Sequence, residues 1–184
     1  MKTIQELCVF YGTDKTPEIG HTYAPIYDKL FKDLKVESVL EIGIGYKGLM
    51  ERYVPQYQPG ASLRVWRDFF PDAQIYGIDN HIEAMLDEPR ITTYHGDSTD
   101  GDWVRSMKFP KFDIIIDDGS HEHHDQLKTA QLFLPHAKQL YFVEDVSWPT
   151  HLMKALPEWH PEMLTEGRGN TLIKFMDKLM VLKP

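Results

Sequence analysis

Acidic side chains close two consecutive apolar runs of this sequence. Asp117 and Asp118 end FDIIIDDG (Phe112–Gly119), and Glu144 and Asp145 end LYFVED (Leu140–Asp145). If the two runs are neighbouring strands, their ends lie about 5 Å apart. Four carboxylates gathered there raise one another's pKa unless a cation or a set of donors offsets the charge. Oxygen ligands without thiolates suit a hard cation, Mg²⁺ first, with Mn²⁺ and Ca²⁺ as further candidates. The plainer alternative is that one pair faces solvent or caps a following helix. His121 stands three residues beyond Asp118. An imidazole beside an activated hydroxyl can take its proton, because its ordinary pKa lies near neutrality. His123 and His124 read as surface residues at a helix start, and the other six histidines show no ligand spacing.

A second constellation lies upstream. Gly43, Gly45 and Gly48 spell G-x-G-x-x-G directly after SVLEIG (Ser38–Gly43). Such glycines let a backbone turn tightly and approach a ligand closely, although the spacing alone fits a plain turn equally well. In a dinucleotide site the third glycine opens a helix, and an acidic residue follows about 20 residues on. Here Pro55 and Pro59 interrupt the stretch after Gly48, so no helix of normal length can start there. The acid ending the next run, QIYGID (Gln74–Asp79), comes too late for that pattern. Glu41 instead completes E-x-G-x-G, which resembles methyltransferase motif I. S-adenosylmethionine (SAM) needs such a loop for its methionine part and a carboxylate at the second strand's end for its ribose hydroxyls. Asp79 suits that second role, with a turn or helix cap as its alternative. Asp97 ends a third run, RITTYHGD (Arg90–Asp97), where it can address the adenine.

The elements that must position these groups are short. The apolar runs are β-branched and lack alternation, as expected for strands covered on both faces of a parallel sheet. Helical spacing fills the gaps at Tyr23–Leu34, Ser62–Phe70 and His124–Leu134. Alternating strands and helices imply βαβ units with right-handed crossovers. TLIKF (Thr171–Phe175) and KLMVLK (Lys178–Lys183) are close enough for a hairpin, hence an antiparallel edge.

Bulk properties narrow the function classes. The 184 residues amount to one domain. A formal charge of −8 argues against a nucleic-acid partner, since phosphate backbones are held by clustered Lys and Arg. The single Cys8 leaves no disulfide framework and no thiolate zinc site. With no long apolar stretch and no charged-then-apolar leader at Met1–Phe10, no membrane span and a cytoplasmic location are expected.

Taken together, the chain resembles the metal-dependent sugar and macrolide O-methyltransferases. FYGTDK (Phe10–Lys15), HTYAPIYDKLF (His21–Phe31), VLEIGIG, GASLRVWRDFFPDAQIYGID, FDIIIDDGSHEHH and FVEDV carry the resemblance. It implies a Rossmann-like class I α/β fold: a mostly parallel seven-stranded sheet ending in an antiparallel hairpin, with helices on both faces. It also implies one domain over 1–184, in which residues 1–35 form a loop and helix covering the active site. By the same resemblance Asp118, Glu144 and Asp145 hold Mg²⁺, and His121 is the general base. The SAM site is implied at Glu41, Gly43, Gly45 and Asp79, joined by Tyr11, Thr13, Asp97 and Asp117. The expected activity is SAM-dependent methyl transfer to a hydroxyl of a small sugar or natural-product-like acceptor. Trp148 and His151 are candidate walls for that acceptor. The stretch Lys47–Pro59 is longer than the usual link after motif I. Either this stretch or a second copy of the chain, in a homo-oligomer, is expected to complete the acceptor pocket. The competing readings are a nicotinamide-dependent oxidoreductase, a non-catalytic SAM-binding module, and a methyltransferase of RNA or protein.

Overall fold

The five β-branched runs become five parallel strands: β1 (Ser38–Ile42), β2 (Gln74–Asp79), β4 (Ile91–His95), β5 (Phe112–Asp117) and β6 (Ala137–Val143). The computed structural model describes residues 2–164 and 178–183. Among them the sheet has eight strands, not the expected seven. The additions are short. β3 (Asp87–Glu88) pairs antiparallel with β4 across a tight turn in which Arg90 has φ +64°. β7 (Glu162–Leu164) lies at the opposite margin. Strands of two or three residues are too brief to leave a period in a sequence. The antiparallel finish is present: β8 (Leu179–Leu182) runs between β6 and β7 and antiparallel to both. The other expected arm of the terminal hairpin, Thr171–Phe175, lies outside the described residues.

Both faces of the parallel strands are covered, so alternate side chains enter different cores. Val39, Ile114, Ile116 and Phe142 pack with Leu7 of α1 (Ile4–Tyr11), Tyr27 and Phe31 of α2 (Tyr23–Phe31), and Trp66 of α4 (Ala61–Phe69). Leu40, Ile115, Tyr141 and Val143 pack on the other face with Val104 of α5 (Gly101–Met107), Phe133 of α6 (His123–Phe133) and Leu152 of α7 (Pro149–Ala155). This two-sided burial removes the polar positions that would give alternation. The interrupted stretch after the glycines holds only a single helical turn, α3 (Lys47–Met50), and the next full helix follows Gly60. Among the described residues no helix is long and apolar enough to cross a membrane.

The strand order β3-β4-β2-β1-β5-β6-β8-β7 places the reversal of winding between β1 and β5. Open α/β sheets bind ligands in the crevice outside the carboxyl ends at such a point. Ile42 pairs in register with Asp117, and Asp117 with Val143, so the glycine loop and both acidic strand ends leave the sheet at one edge.

Candidate active site

A cavity of about 1030 Å³ opens at that edge and is lined by Gly43, Gly45, Asp79, Asp97, Asp118 and His121, among others. Gly43 has φ +80°, and a Cβ there would lie 2.1 Å from the Asp118 carbonyl oxygen. The loop after β1 therefore touches the loop after β5 backbone to backbone, and only glycine fits. Gly45, at φ +70°, also needs the left-handed region. Asp79 braces this loop. Its Oδ2 accepts from the N–H groups of Ile44 and Gly45, each at 3.1 Å, and its Oδ1 accepts from His81 N–H at 2.8 Å. A carboxylate has about four acceptor positions, so one on Oδ1 stays available to a ribose hydroxyl. Asp97 lines the cavity from the end of β4, its Oδ1 accepting from the N–H and hydroxyl of Thr99. Thr13 reaches the same cavity, as do Leu49, Met50, Tyr53 and Tyr57 from the long stretch after motif I.

The acidic cluster divides into two halves. Asp118, His121 and Asp145 form an open group whose ligand atoms lie within 4.8 Å of one another. His121 Nε2 is 3.7 Å from Asp118 Oδ1 and 3.5 Å from Asp145 Oδ2. Two carboxylate oxygens facing a common space, with an imidazole beside them, make an oxygen donor pair that fits a hard divalent cation. Asp145 reaches this position with φ +47°, a left-handed conformation that is uncommon outside glycine and clusters at functional sites. Burial alone would raise the Asp118 carboxyl, but Lys15 and His121 beside it hold it at about 2. The Asp118 carboxylate beside it in turn raises the pKa of His121 against its partial burial.

The other half is closed by Lys15. Its ammonium, 2% exposed, lies 2.6 Å from Asp118 Oδ2, 2.7 Å from Glu144 Oε2 and 3.2 Å from Glu41 Oε1. Burial would strip its proton, but these carboxylates outweigh burial and keep it charged. In the sequence Lys15 stands out only within FYGTDK, because nothing local marks a lysine for burial.

Four expected site residues are placed elsewhere by the packing. Glu144 does not join the open group: its oxygens are taken by Lys15 and by the Tyr27 hydroxyl at 2.6 Å. Asp117 points into the core and accepts from the Tyr141 hydroxyl at 2.9 Å, with burial lifting its carboxyl to about 7. Glu41 is fully buried and accepts from the Trp66 indole at 2.8 Å, which makes it a brace beneath the glycine loop. Tyr11 turns away from the cavity and donates to Asp68, while Arg67 donates to it. Strand alternation does not make this choice: Asp117 is in register with Val143, so Asp118 and Glu144 fall on one face, yet Asp118 keeps an open oxygen while Glu144 is closed off by Lys15 and Tyr27.

No family model matches the chain. It is 41% identical over 147 residues to mycinamicin VI 2''-O-methyltransferase of Micromonospora griseorubida, covering 73% of this chain and 35% of that one. Demethylmacrocin O-methyltransferase of Streptomyces fradiae is 36% identical over 155 residues, covering 79% and 38%. The crystal structure of MycE methyltransferase with Mg and SAH superposes with a TM-score of 0.76 at 26% identity, over 99% of this chain and 54% of that one. Over the stretch it shares with them, the chain is similar to sugar and macrolide O-methyltransferases. The chain spans between about a third and two fifths of the length of the curated relatives it matches (35% and 38%). A second MycE structure, holding mycinamycin VI besides Mg and SAH, superposes with a TM-score of 0.75 at 29% identity.

Proposed function

We propose that this chain is the catalytic unit of a SAM-dependent, divalent-cation-assisted O-methyltransferase acting on a hydroxyl of a sugar or natural-product-like glycoside. The observation that carries the reading is the meeting of Asp118, His121 and Asp145 beside a glycine loop at the switch point of the sheet. Residues 1–184 act as one domain, with residues 1–35 supplying Lys15 and Tyr23 to the site. The −8 charge supports a small acceptor over a nucleic acid, and the lone thiol suits the cytoplasm.

When bound, SAM supplies an electrophilic methyl group and the cation supplies positive charge that acidifies the acceptor hydroxyl. Asp118 Oδ1 and Asp145 Oδ2 are the groups that would hold the cation. Lys15 fixes the other Asp118 oxygen, and through Glu144 it neutralises the closed half of the cluster. His121 Nε2 receives the proton from the acceptor hydroxyl as the C–O bond forms. The chain's larger contribution is alignment of acceptor and cofactor in one cavity. Trp148, half exposed with its ring 5.1 Å from His123 and 5.3 Å from His151, lies three residues past Asp145, and neither it nor His151 is among the residues that line the cavity. A nicotinamide reading is disfavoured by α3, a single turn where a pyrophosphate-binding helix would start.

The test is label transfer from methyl-labelled SAM to mycinamicin VI and to methyl α-L-rhamnopyranoside, with Mg²⁺ or with EDTA. Transfer that requires Mg²⁺ and is lost in Asp118→Asn supports the reading. SAH binding without transfer to either acceptor, under any metal, points to a non-catalytic SAM-binding module.

A further inference from the structure

The carboxylate of Asp145 is useful only where its backbone puts it, and that backbone sits in a conformation L-residues avoid, at φ +47°. Something must hold it. Two buried side chains do so from opposite sides. Tyr23 of α2 uses its hydroxyl twice, accepting from Asp145 N–H at 3.2 Å and donating to Asp145 Oδ1 at 2.7 Å. Gln126 of α6, 2% exposed, takes the other side. Its Nε2 donates to the carbonyls of Glu144 and Asp145, both at 3.2 Å, and its Oε1 accepts from the N–H and hydroxyl of Ser147 at 3.2 and 3.3 Å.

We infer that Gln126 is a positioning residue for the cation site. Its amide spans residues 144–147 and locks Asp145 in the left-handed turn that aims Oδ2 at Asp118 and His121. Both ends of the amide are required. The donor end reaches the carbonyls of Glu144 and Asp145, and the acceptor end ties down the segment leading to Trp148. A glutamate keeps the acceptor end but cannot donate when ionised, a leucine does neither, and an asparagine is one methylene short. Without the donor, the peptide after Asp145 is free to relax to negative φ, which swings the Cα–Cβ bond and separates Asp145 Oδ2 from Asp118 Oδ1. Gln126 lies behind the wall of the cavity, so the effect falls on the cation and leaves the nucleoside side intact.

This inference rests on the reading of Asp118 and Asp145 as the cation-holding groups, and the experiment separates the two. Mn²⁺ affinity is measured by the loss of the free-ion paramagnetic resonance signal, and SAH affinity by calorimetry. Both are done on the wild type, Gln126→Leu, Gln126→Glu, Gln126→Asn and Tyr23→Phe, with thermal melting as the check on folding. Gln126→Glu preserves volume and the Ser147 contacts but brings a buried carboxyl, so Gln126→Leu and Gln126→Asn separate loss of the donor from added charge. The expected result is at least a tenfold loss of Mn²⁺ affinity in folded Gln126 variants and in Tyr23→Phe, with SAH affinity within twofold of the wild type. Unchanged Mn²⁺ affinity in a folded Gln126 variant overturns the positioning role while leaving the proposed function standing. Failure of every Gln126 variant to fold assigns the residue to stability and overturns the role as well. A wild type that binds SAH but no Mn²⁺ overturns both readings.

Discussion

The ammonium of Lys15 lies 2.6 Å from the carboxylate of Asp118, although 103 residues separate them. Lys15 leaves the end of α1 and Asp118 leaves the end of β5, and both charges are drawn out of solvent at the point where the sheet opens. The contact fixes one oxygen of Asp118 and leaves the other to face His121. Lys15 is thus the internal counter-charge of the acidic edge, and the N-terminal segment is part of the site.

Removing that counter-charge leaves Glu41, Glu144 and Asp118 to repel one another in a buried setting. Lys15→Met is expected to destabilise the fold by about 3–5 kcal/mol, the usual effect of orphaning a buried charge. Adding Glu144→Gln to Lys15→Met is expected to recover part of the loss, because the two sites are coupled. Urea unfolding of the single and double variants measures both effects, and a Lys15→Met protein as stable as the wild type contradicts the account.

Gly43 and Gly48 respond differently to alanine despite sharing one motif. At Gly43 a Cβ meets the Asp118 carbonyl at 2.1 Å and the backbone is left-handed, so Gly43→Ala is expected to cost on the order of 1–3 kcal/mol and to abolish SAH binding. Gly48 lies within α3, and its Cβ would meet only the side chain of Tyr46. Gly48→Ala is expected to change stability by no more than about 1 kcal/mol. Equal effects of the two substitutions, by melting and calorimetry, would contradict the close loop-to-loop approach.

Asp79→Ala leaves the N–H groups of Ile44, Gly45 and His81 without their acceptor. An unsatisfied buried donor costs about 1–3 kcal/mol, so SAH affinity is expected to fall at least tenfold as the glycine loop loosens. Calorimetric titration with SAH checks this, and an unaltered affinity removes Asp79 from the cofactor site.

His121→Ala is expected to lower turnover by about 10²–10⁴, the range of general-base catalysis, with SAH affinity unchanged. EDTA is expected to abolish turnover of the wild type. A His121→Ala enzyme at wild-type turnover assigns proton removal to another group.

Asp113, at the amino end of β5, gives a pH dependence remote from the site. Burial alone would raise its carboxyl, but hydrogen bonds from Glu37 N–H, Lys138, Gln139 and Ser38 outweigh it and hold the pKa below the ordinary value. A group depressed in the folded state adds stability that is fully present above its unfolded pKa, about 3.9, and is lost as pH falls through the folded value. Asp113→Asn is therefore expected to cost about 1–3 kcal/mol near neutrality and progressively less below pH about 4. Unfolding curves that stay parallel across that interval for wild type and variant contradict this assignment.

By itself the sequence determined the sheet and the edge at which its chemistry gathers. Runs such as FDIIIDD and LYFVED are continuous and β-branched because both faces are buried, and parallel winding sends all their acidic ends to one side. The glycines of E-x-G-x-G were legible for a similar local reason, since φ signs are set within the loop. Which carboxylates face the cavity was decided only by tertiary structure. Asp118 and Asp145 are open while Asp117 and Glu144 are buried, and this depends on the left-handed turn at Asp145 and on the hydroxyls of Tyr141 and Tyr27. It depends also on an ammonium arriving from residue 15. None of these partners lies near the acids they orient along the chain. Local patterning records which faces a strand buries, and a side chain's electrostatic partner is chosen by whichever distant segment packs against it.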